Sequence, residues 1–347
     1  MNPARWHSIW SGRGWLARLL WPVSLLYGWL FVLRRTLFSL GLLKVERLAV
    51  PVVVVGNVVV GGAGKTPTVI ALVKHLQRQG WNPGVVSRGY GRRSDAVLPV
   101  LNDTAPDDSG DEPALIWRAT GVPVWVAARR VDAARALLAA HPGVDVLVCD
   151  DGLQHLALGR DLAIAVFDDR GTGNGWQLPA GLLREPWPPH PGNRLRPDLV
   201  LHQRPEGLAA PTAPTPSGLP EFSASRRLAD TAVGPQGQRV ALQDLRGHAL
   251  TAVAGIARPE VFFEMLRARG LTLARTVALP DHADSADYAK LLQTPGTRVC
   301  TEKDAVKLFA ALSADQAAVW AVPLELSPEP AFWTALDSLL PPRPLGR

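Results

Sequence analysis

The sequence contains very little cysteine, with only Cys149 and Cys300 in a chain of 347 residues. Each thiol ends or nearly ends an apolar run, which predicts a buried position on a strand. Two isolated thiols build no disulfide framework, and no CxxC pair or Cys/His cluster indicates a zinc site. The cysteine content therefore favours a reducing, cytoplasmic setting.

Acidic residues are missing from the first 45 positions, although the whole chain has a formal net charge of +6. The basic residues of this segment account for the entire excess, so the remainder of the chain is formally neutral. A nucleic-acid-binding protein more often spreads its basic residues over a folded face. Here they lie on an apolar, Trp-rich segment, so we predict contact with an anionic membrane surface and no nucleic-acid partner. The six basic residues are Arg5, Arg13, Arg18, Arg34, Arg35 and Lys44.

Charge is also absent from the run Leu19 to Leu33. A helix over this run would rise about 22 Å, short of the ~30 Å hydrocarbon core, and Pro22 is expected to break it early. A signal peptide would need a small-residue cleavage motif, which does not follow. Because Trp favours the membrane–water zone, we predict a monotopic helix at the interface. A spanning helix and a helix packed wholly within the protein are the alternatives.

Apolar runs alternate with helical patterns over most of the chain, and the 47% hydrophobic content argues against disorder. The valine-rich run 48–55 predicts a central parallel strand whose pairing starts after Pro51. Further strands are predicted at 83–87, 122–126, 144–148 and 162–167, with helices at 66–79 and 131–140. This order predicts an α/β fold with a doubly wound sheet.

A proline-rich stretch over 205–220 predicts a loop or linker before a second, smaller α/β lobe. That lobe is predicted to contain strands at 249–254 and 298–301 and helices at 259–269 and 285–293. The predicted domains are a membrane-associating segment (1–45), a larger α/β lobe (46–225) and a C-terminal α/β lobe (226–347).

The segment from Gly56 to Thr66, GNVVVGGAGKT, joins the first strand to the first helix. Glycines let backbone N–H groups form an anion nest, and the helix N-terminus adds its positive dipole end. Lys65 would reach the β- and γ-phosphates, and the Thr66 hydroxyl would bind Mg²⁺. The strict pattern GxxxxGK[ST] requires glycine where Val59 stands. A purely structural corner would explain the glycines but not Lys65 and Thr66. The predicted nucleotide-binding residues are Gly61, Gly62, Ala63, Gly64, Lys65 and Thr66. Together with the doubly wound sheet they predict a fold of the P-loop NTPase type, whose P-loop kinase lobe covers 46–225.

The pair Asp150 and Asp151 follows the predicted strand 144–148. An apolar strand that ends in acid is how P-loop enzymes bring a carboxylate to Mg²⁺. Two adjacent carboxylates repel each other unless a cation is near. A solvated Asp-Gly turn is the alternative. Together with Lys65 and Thr66, the pair predicts ATP and Mg²⁺ as cofactors.

Six segments in this order resemble the tetraacyldisaccharide 4′-kinase (lipid A 4′-kinase) family. They are GNVVVGGAGKTP (56–67), SRGYGR (87–92), GDEP (110–113), DDGLQH (150–155), LPAGLLREP (178–186) and TEKDAVKL (301–308). The chain departs from the family at Leu182, where proline is usual, and at Ala283, where a second histidine or similar residue is common.

The resemblance implies transfer of the ATP γ-phosphate to the 4′-hydroxyl of tetraacyldisaccharide 1-phosphate, forming lipid IVA. It places the reaction at the cytoplasmic face of the bacterial inner membrane. Asp111 is the predicted base for the hydroxyl proton, and His282 is implied to pair with it. A helix N-terminus, where acids are favoured anyway, is the alternative for Asp111.

Further metal and phosphate ligands are predicted around these residues. Candidates for Mg²⁺ or its water shell, besides Thr66, are Asp150, Asp151, Gln154 and Glu185. Arg88 and Arg130 are candidate phosphate clamps, whereas His155 is expected to cap or pack.

Two other functions are compatible with the residues. One is a membrane-docked P-loop ATPase switch, although such proteins often carry a second lysine before the glycines, where this chain has Val60. The other is a soluble small-molecule kinase. The sequence makes no prediction of oligomeric state.

Overall fold

The computed structural model describes most of the chain, and its residues form two β-sheets flanked by helices. The strands are β1 (Val52–Gly56), β2 (Pro83–Ser87), β3 (Leu98–Pro99), β4 (Val124–Val126), β5 (Val146–Asp150), β6 (Leu162–Phe167), β7 (Leu199–Pro205), β8 (Glu221–Leu228), β9 (Thr231–Val233), β10 (Arg239–Ala241), β11 (Leu250–Ala254), β12 (Leu273–Ala278), β13 (Arg298–Thr301), β14 (Val319–Val322) and β15 (Leu324–Pro328). The described residues are 10, 12–62, 64–102, 104–193, 195–206, 217–281, 283, 285–293, 296–312 and 318–343.

The described helices lie mostly between consecutive strands, as expected for an α/β fold. A 3₁₀ turn covers Leu242–Leu245. The helices are α1 (Trp15–Ser39), α2 (Lys65–Arg78), α3 (Pro106–Ser109), α4 (Asp111–Thr120), α5 (Arg130–Ala140), α6 (Pro259–Ala268), α7 (Ser285–Leu292), α8 (Glu302–Ala311) and α9 (Pro330–Leu339).

The larger sheet has nine strands in the order β15-β8-β7-β6-β1-β5-β2-β4-β3. All pairs from β8 to β4 are parallel, and an antiparallel strand closes each edge. Strand β1 lies between β5 and β6, where the strand order reverses. Ligands of doubly wound sheets bind outside the carboxyl ends of the strands at such a reversal. The predicted doubly wound fold is thereby confirmed, and the loops after β1 and β5 are placed side by side.

Strand β1 is central because its valines bury both faces of the sheet. Val53 and Val55 pack into a core that includes Leu72 of α2, while Val52 and Val54 pack into a second core that includes Leu137 of α5. Pairing begins after Pro51, as predicted, and the Val52 N–H donates to Asp161 Oδ2 over 2.8 Å.

The smaller sheet has six strands in the order β10-β9-β14-β13-β11-β12, and its own core centres on Phe263. The chain leaves the larger sheet after β8 and returns to it at β15. The domain boundary predicted at 225/226 falls within β8 and stays a prediction. Most of the predicted linker, residues 207–216, lies outside the described residues.

The N-terminal helix is longer than the sequence predicted. Helix α1 has 25 residues and includes Pro22, so the expectation that proline breaks the run is wrong. By its rise such a helix is about 37 Å long, so the length argument against spanning is wrong as well. Its N-terminal half is held by tertiary hydrogen bonds, such as Ser24 Oγ donating to Gln177 O over 2.9 Å, which offset the cost of proline. By length and composition α1 could cross a membrane.

Phe332 of α9 anchors the C-terminal helix in the core of the larger sheet and is fully buried. We expect Phe332→Ala to lower the free energy of unfolding by about 3–5 kcal/mol, because truncating a buried phenylalanine loses apolar burial and leaves a cavity. Leu339→Ala on the same helix, where the side chain is 46% exposed, is the control and should cost less than about 1 kcal/mol. Urea unfolding measures both, and equal losses would contradict the assignment.

Candidate active site

The chain between β1 and the glycines runs beside residues 174–186, here called the clamp loop. Val60 N–H donates to Leu182 O over 2.9 Å, and Arg184 N–H donates to Val58 O over 2.7 Å. Val59 is fully buried and forms an antiparallel bridge with Leu183. The departure from the strict phosphate-loop pattern at Val59 thus has a physical reason, because this position is a strand-like core position.

The phosphate loop begins at Gly61 and ends where α2 begins. Gly61 and Gly64 have φ of +92° and +79°, in the left-handed region that favours glycine. A side chain at Gly64 would overlap Gln203, whose Nε2 donates to Gly64 O over 2.8 Å. Lys65 and Thr66 open α2 and are both buried. The predicted residue Ala63 lies outside the described residues.

The loop is also held from its other side. Asn57 Nδ2 donates to Gly61 O over 3.1 Å, and Arg170 Nη1 donates to Val60 O over 3.2 Å. Asp168 in turn accepts two hydrogen bonds from Arg170 Nε, at 3.0 and 2.8 Å. These contacts fix the backbone whose N–H groups would face an anion.

The two predicted carboxylates follow each other at the end of β5 but have different surroundings. Asp150 is fully buried, and its Oδ2 accepts from Ser87 Oγ over 3.1 Å. Its Oδ1 has no hydrogen-bond partner among the described residues. Asp151 has φ of +48°, and its carboxylate lies 3.8 Å from Lys65 Nζ and 3.2 Å from Arg184 Nη1.

These surroundings push the two pKa values apart. Burial, followed by the charges of Glu112 and Asp151, raises the pKa of Asp150 to about 7, although Lys65 and Ser87 oppose the rise. Burial also opposes ionisation of Asp151, but the positive charges of Lys65, Arg184 and Arg130 outweigh it and lower its pKa. A cation beside Asp150 would stabilise the ionised carboxylate, which burial makes costly. Oδ1 could contact that cation, because it has no hydrogen-bond partner among the described residues.

The residues present fit Mg²⁺. The orphaned Oδ1 of Asp150, the carboxylate of Asp151 and the hydroxyl of Thr66 are hard oxygen donors. Among the described residues no cluster of three or more His, Cys, Asp or Glu side chains gathers. Mg²⁺ needs none, since it is usually held by one or two carboxylates together with substrate phosphates.

Gln154 and Glu185, the other metal candidates, bind each other. Gln154 Nε2 donates to Glu185 Oε1 over 2.7 Å and to Asn57 O over 3.0 Å. Glu185 Oε2 accepts from Arg35 Nη1 of α1 over 2.6 Å. Both Glu185 oxygens are therefore engaged, and a metal would have to replace one of these partners. Their assignment stays a prediction.

Asp111 opens α4 and is buried. Lys307 Nζ of α8 lies 3.0 Å from each carboxylate oxygen and also donates to Ala283 O over 2.9 Å. His282 lies outside the described residues, but Lys303 holds its neighbour Asp281 at 2.5 Å. No sequence motif assigned a role to Lys303 and Lys307, although their spacing of four in the segment 301–308 places both on one helix face.

The remaining candidates take different positions. Arg130 is buried and donates to Asp151 O over 3.0 Å, whereas Arg88 is exposed. Burial, with the nearby charges of Arg130 and Arg34, lowers the pKa of His155 to about 4. His155 is therefore neutral at physiological pH, and its Nε2 has no hydrogen-bond partner within the described ranges.

A cavity of about 210 Å³ lies between the phosphate loop and the smaller sheet. Lys65, Thr66 and Glu112 line its polar end. Apolar side chains also line the cavity, and such a surface suits a flat organic ring. They include Leu228, Ile256, Val261, Phe262, Met265 and Leu324. The lining can hold an anionic chain at Lys65 and Thr66 and an apolar group against these side chains.

Comparison with known proteins places this architecture among described enzymes. A sequence profile described as "Tetraacyldisaccharide-1-P 4'-kinase" matches residues 16–341. The chain is 58% identical over 335 residues to a tetraacyldisaccharide 4′-kinase of Polaromonas naphthalenivorans, covering 96% of this chain and 94% of that one. It is 53% identical to the protein of that name from Acidovorax sp. strain JS42, covering 97% and 94%.

The fold also matches a solved structure. LpxK from Aquifex aeolicus, crystallised in complex with ATP, superposes with a TM-score of 0.78 at 28% identity. The match covers 94% of this chain and all of that one.

The raised pKa of Asp150 predicts how stability depends on pH. A carboxyl whose pKa is higher in the folded state contributes stability below its unfolded pKa near 4, and loses it as pH rises through about 7. In metal-free buffer the wild type should therefore lose roughly 3–4 kcal/mol relative to Asp150→Asn between pH 4 and pH 8. Chemical unfolding in EDTA measures the difference, and parallel pH curves for the two proteins would refute the assignment.

Proposed function

Since the chain belongs to the tetraacyldisaccharide-1-P 4′-kinase family, we propose that its chemistry takes place where the phosphate loop, the end of β5 and the start of α4 meet. Glu112 supports this location, because it lines the cavity with Lys65, raises the pKa of Asp150 and directly follows Asp111. The nucleotide and the hydroxyl that it phosphorylates would thus approach one small region.

The chain is a lipid kinase of lipid A biosynthesis. It transfers the γ-phosphate of ATP to the 4′-hydroxyl of tetraacyldisaccharide 1-phosphate. The ATPase-switch alternative is not favoured, because this family transfers phosphate to a lipid hydroxyl.

Lys65 and Thr66 would hold the triphosphate at the polar end of the cavity. The observation that carries this assignment is their position at the start of α2, behind two left-handed glycines, where the helix dipole and loop amides favour anions. Asp150, Asp151 and Thr66 would hold Mg²⁺, which neutralises charge on the phosphate oxygens when bound. Arg184, by its contact with Asp151, keeps that carboxylate ionised.

Asp111 would accept the proton of the lipid hydroxyl. Phosphoryl transfer depends mainly on positioning and electrostatics, so the orientation of the base matters more than its strength. Lys307 fixes that orientation by contacting both carboxylate oxygens, and by binding Ala283 O it also holds the residue next to His282. The pairing of His282 with Asp111 is part of this proposal.

Helix α1 would lie in the interface at the cytoplasmic face of the inner membrane. It carries many exposed apolar side chains, among them Trp29 at 60% and Leu26 at 57% exposure. The other side of α1 contacts the clamp loop along its length, from Ser24 on Gln177 to Arg35 on Glu185. Burial of the whole helix in hydrocarbon would draw this polar loop in with it, which favours a monotopic position.

A γ-phosphate transfer assay tests the role of Asp111. We expect Asp111→Asn to lower kcat for labelling of the lipid acceptor by about 10²–10⁴-fold, because the positioned base is lost. The Kd for ATP should change little, since Asp111 is not among the residues that line the cavity. Asp108→Asn, on the exposed side chain of the preceding helix, is the matched control and should retain wild-type turnover. An unchanged kcat for Asp111→Asn would rule out the assignment.

Membrane binding through α1 can be tested on its exposed face. Leu26→Glu combined with Leu30→Glu should weaken flotation with anionic phospholipid vesicles at least about tenfold, because each leucine contributes roughly 1.5–3 kcal/mol when buried. Leu101→Glu, at an exposed leucine outside α1, is the control and should float like the wild type. Equal flotation of all three proteins would contradict the interfacial position.

A further inference from the structure

Arg226 lies on β8, and no sequence motif indicated a functional role for it. It pairs with Pro205 at the carboxyl end of β7 and with Leu326 of β15. Two residues before Pro205, Gln203 donates to the phosphate loop at Gly64 O. Arg226 therefore stands at the same edge of the sheet as the phosphate loop, and it lines the same cavity as Lys65.

The guanidinium of Arg226 is poorly paired within the described residues. Its side chain is only 13% exposed, and its Nε and Nη2 atoms are buried without a hydrogen-bond partner among the described residues. The nearest ion-pair contact is Asp169 Oδ1 at 3.6 Å from Nη2, and that carboxylate already accepts from Arg258 Nη1 at 2.5 and 2.7 Å. Donors left unpaired in this way cost free energy until a ligand satisfies them.

Other cations around the cavity are better paired. Arg258 binds Asp169, and Lys303 binds Asp281. Lys65, by contrast, lies 3.8 Å from Asp151, which is longer than a hydrogen bond. Within the described residues, Arg226 and Lys65 thus each line the cavity with a cationic group that has no close acceptor.

We propose that Arg226 is a second phosphate ligand of the nucleotide, whose guanidinium turns into the cavity and donates to non-bridging oxygens of the polyphosphate held at Gly61–Thr66. This inference rests on the proposed nucleotide site. A guanidinium suits the task because its planar fork binds two oxygens at once and stays charged. Burial lowers the pKa of Arg226, against the opposing charges of Asp168 and Asp169, so a polyanion would relieve an unfavourable state already present in the fold.

Arg227 supplies a matched control on the next position of the same strand. Its side chain binds Glu325 over 2.7 Å, and it is not among the residues that line the cavity. The substitutions Arg226→Met and Arg227→Met remove the same charge and leave side chains of the same kind. Any difference in ligand binding between the two variants therefore depends on the position of the guanidinium that was removed.

The experiment measures binding of Mg-ATP, Mg-ADP and adenosine by calorimetry, and the unfolding temperature without nucleotide. Arg226→Met should bind ATP about 10–100-fold more weakly while binding adenosine as the wild type does, because one charge-assisted contact to phosphate is lost. Its unfolding temperature without nucleotide should equal or exceed that of the wild type, since the unpaired buried donors are gone. Arg227→Met should bind all three ligands normally.

The ADP result identifies the phosphate. An equal loss for ATP and ADP would assign Arg226 to the α- or β-phosphate, and a loss for ATP alone would assign it to the γ-phosphate. Wild-type ATP affinity in Arg226→Met, or equal losses for ATP and adenosine, would overturn the proposal. A wild-type chain that binds no ATP would instead overturn the nucleotide site on which it rests.

Discussion

The phosphate loop must expose its backbone N–H groups to a ligand, and the surrounding structure is arranged around that constraint. A loop of this kind cannot stabilise itself, because its donors are kept for the ligand rather than paired within the protein. Neighbouring side chains hold its carbonyl groups instead. Asn57 and Gln203 each donate to a loop carbonyl, whereas Arg170 and the clamp loop bind the residues just before the glycines. These partners come from four separate parts of the chain, so the position of the loop depends on the complete fold.

A second arrangement separates the two adjacent carboxylates at the end of β5. Both lie at one strand end, yet Asp150 points into the core and Asp151 points towards cations. The left-handed backbone at Asp151, uncommon for a residue with a side chain, turns the chain so that consecutive side chains face different surroundings. Adjacent acids can therefore take different protonation states without being far apart.

The central part of the larger sheet could be predicted because its signals are local. The valine run of β1, the glycines after it and the amphipathic pattern of α2 all lie within thirty residues, and the structure has these elements where the sequence predicted them. The edge β7-β8-β15 could not be predicted from the sequence. Strand β8 is largely polar, and β15 pairs with it only after the strands of the smaller sheet have intervened in the chain. The contact between Lys307 and Asp111 likewise joins residues 196 apart in sequence. The length of helix α1 could not be predicted, because the tertiary contacts that offset the cost of Pro22 come from other segments of the chain.

The clamp loop has a mechanical consequence. On one side it is hydrogen-bonded to α1 through Ser24, Tyr27 and Arg35, and on the other it pairs with the residues before the phosphate loop. Helix α1, the clamp loop and the residues before the phosphate loop are therefore joined by hydrogen bonds into one stack. With α1 at the interface as proposed, this stack would set the distance between the reacting phosphate and the bilayer. Selection among lipids would then depend on how far a hydroxyl projects from the membrane as well as on the chemistry of the sugar that bears it.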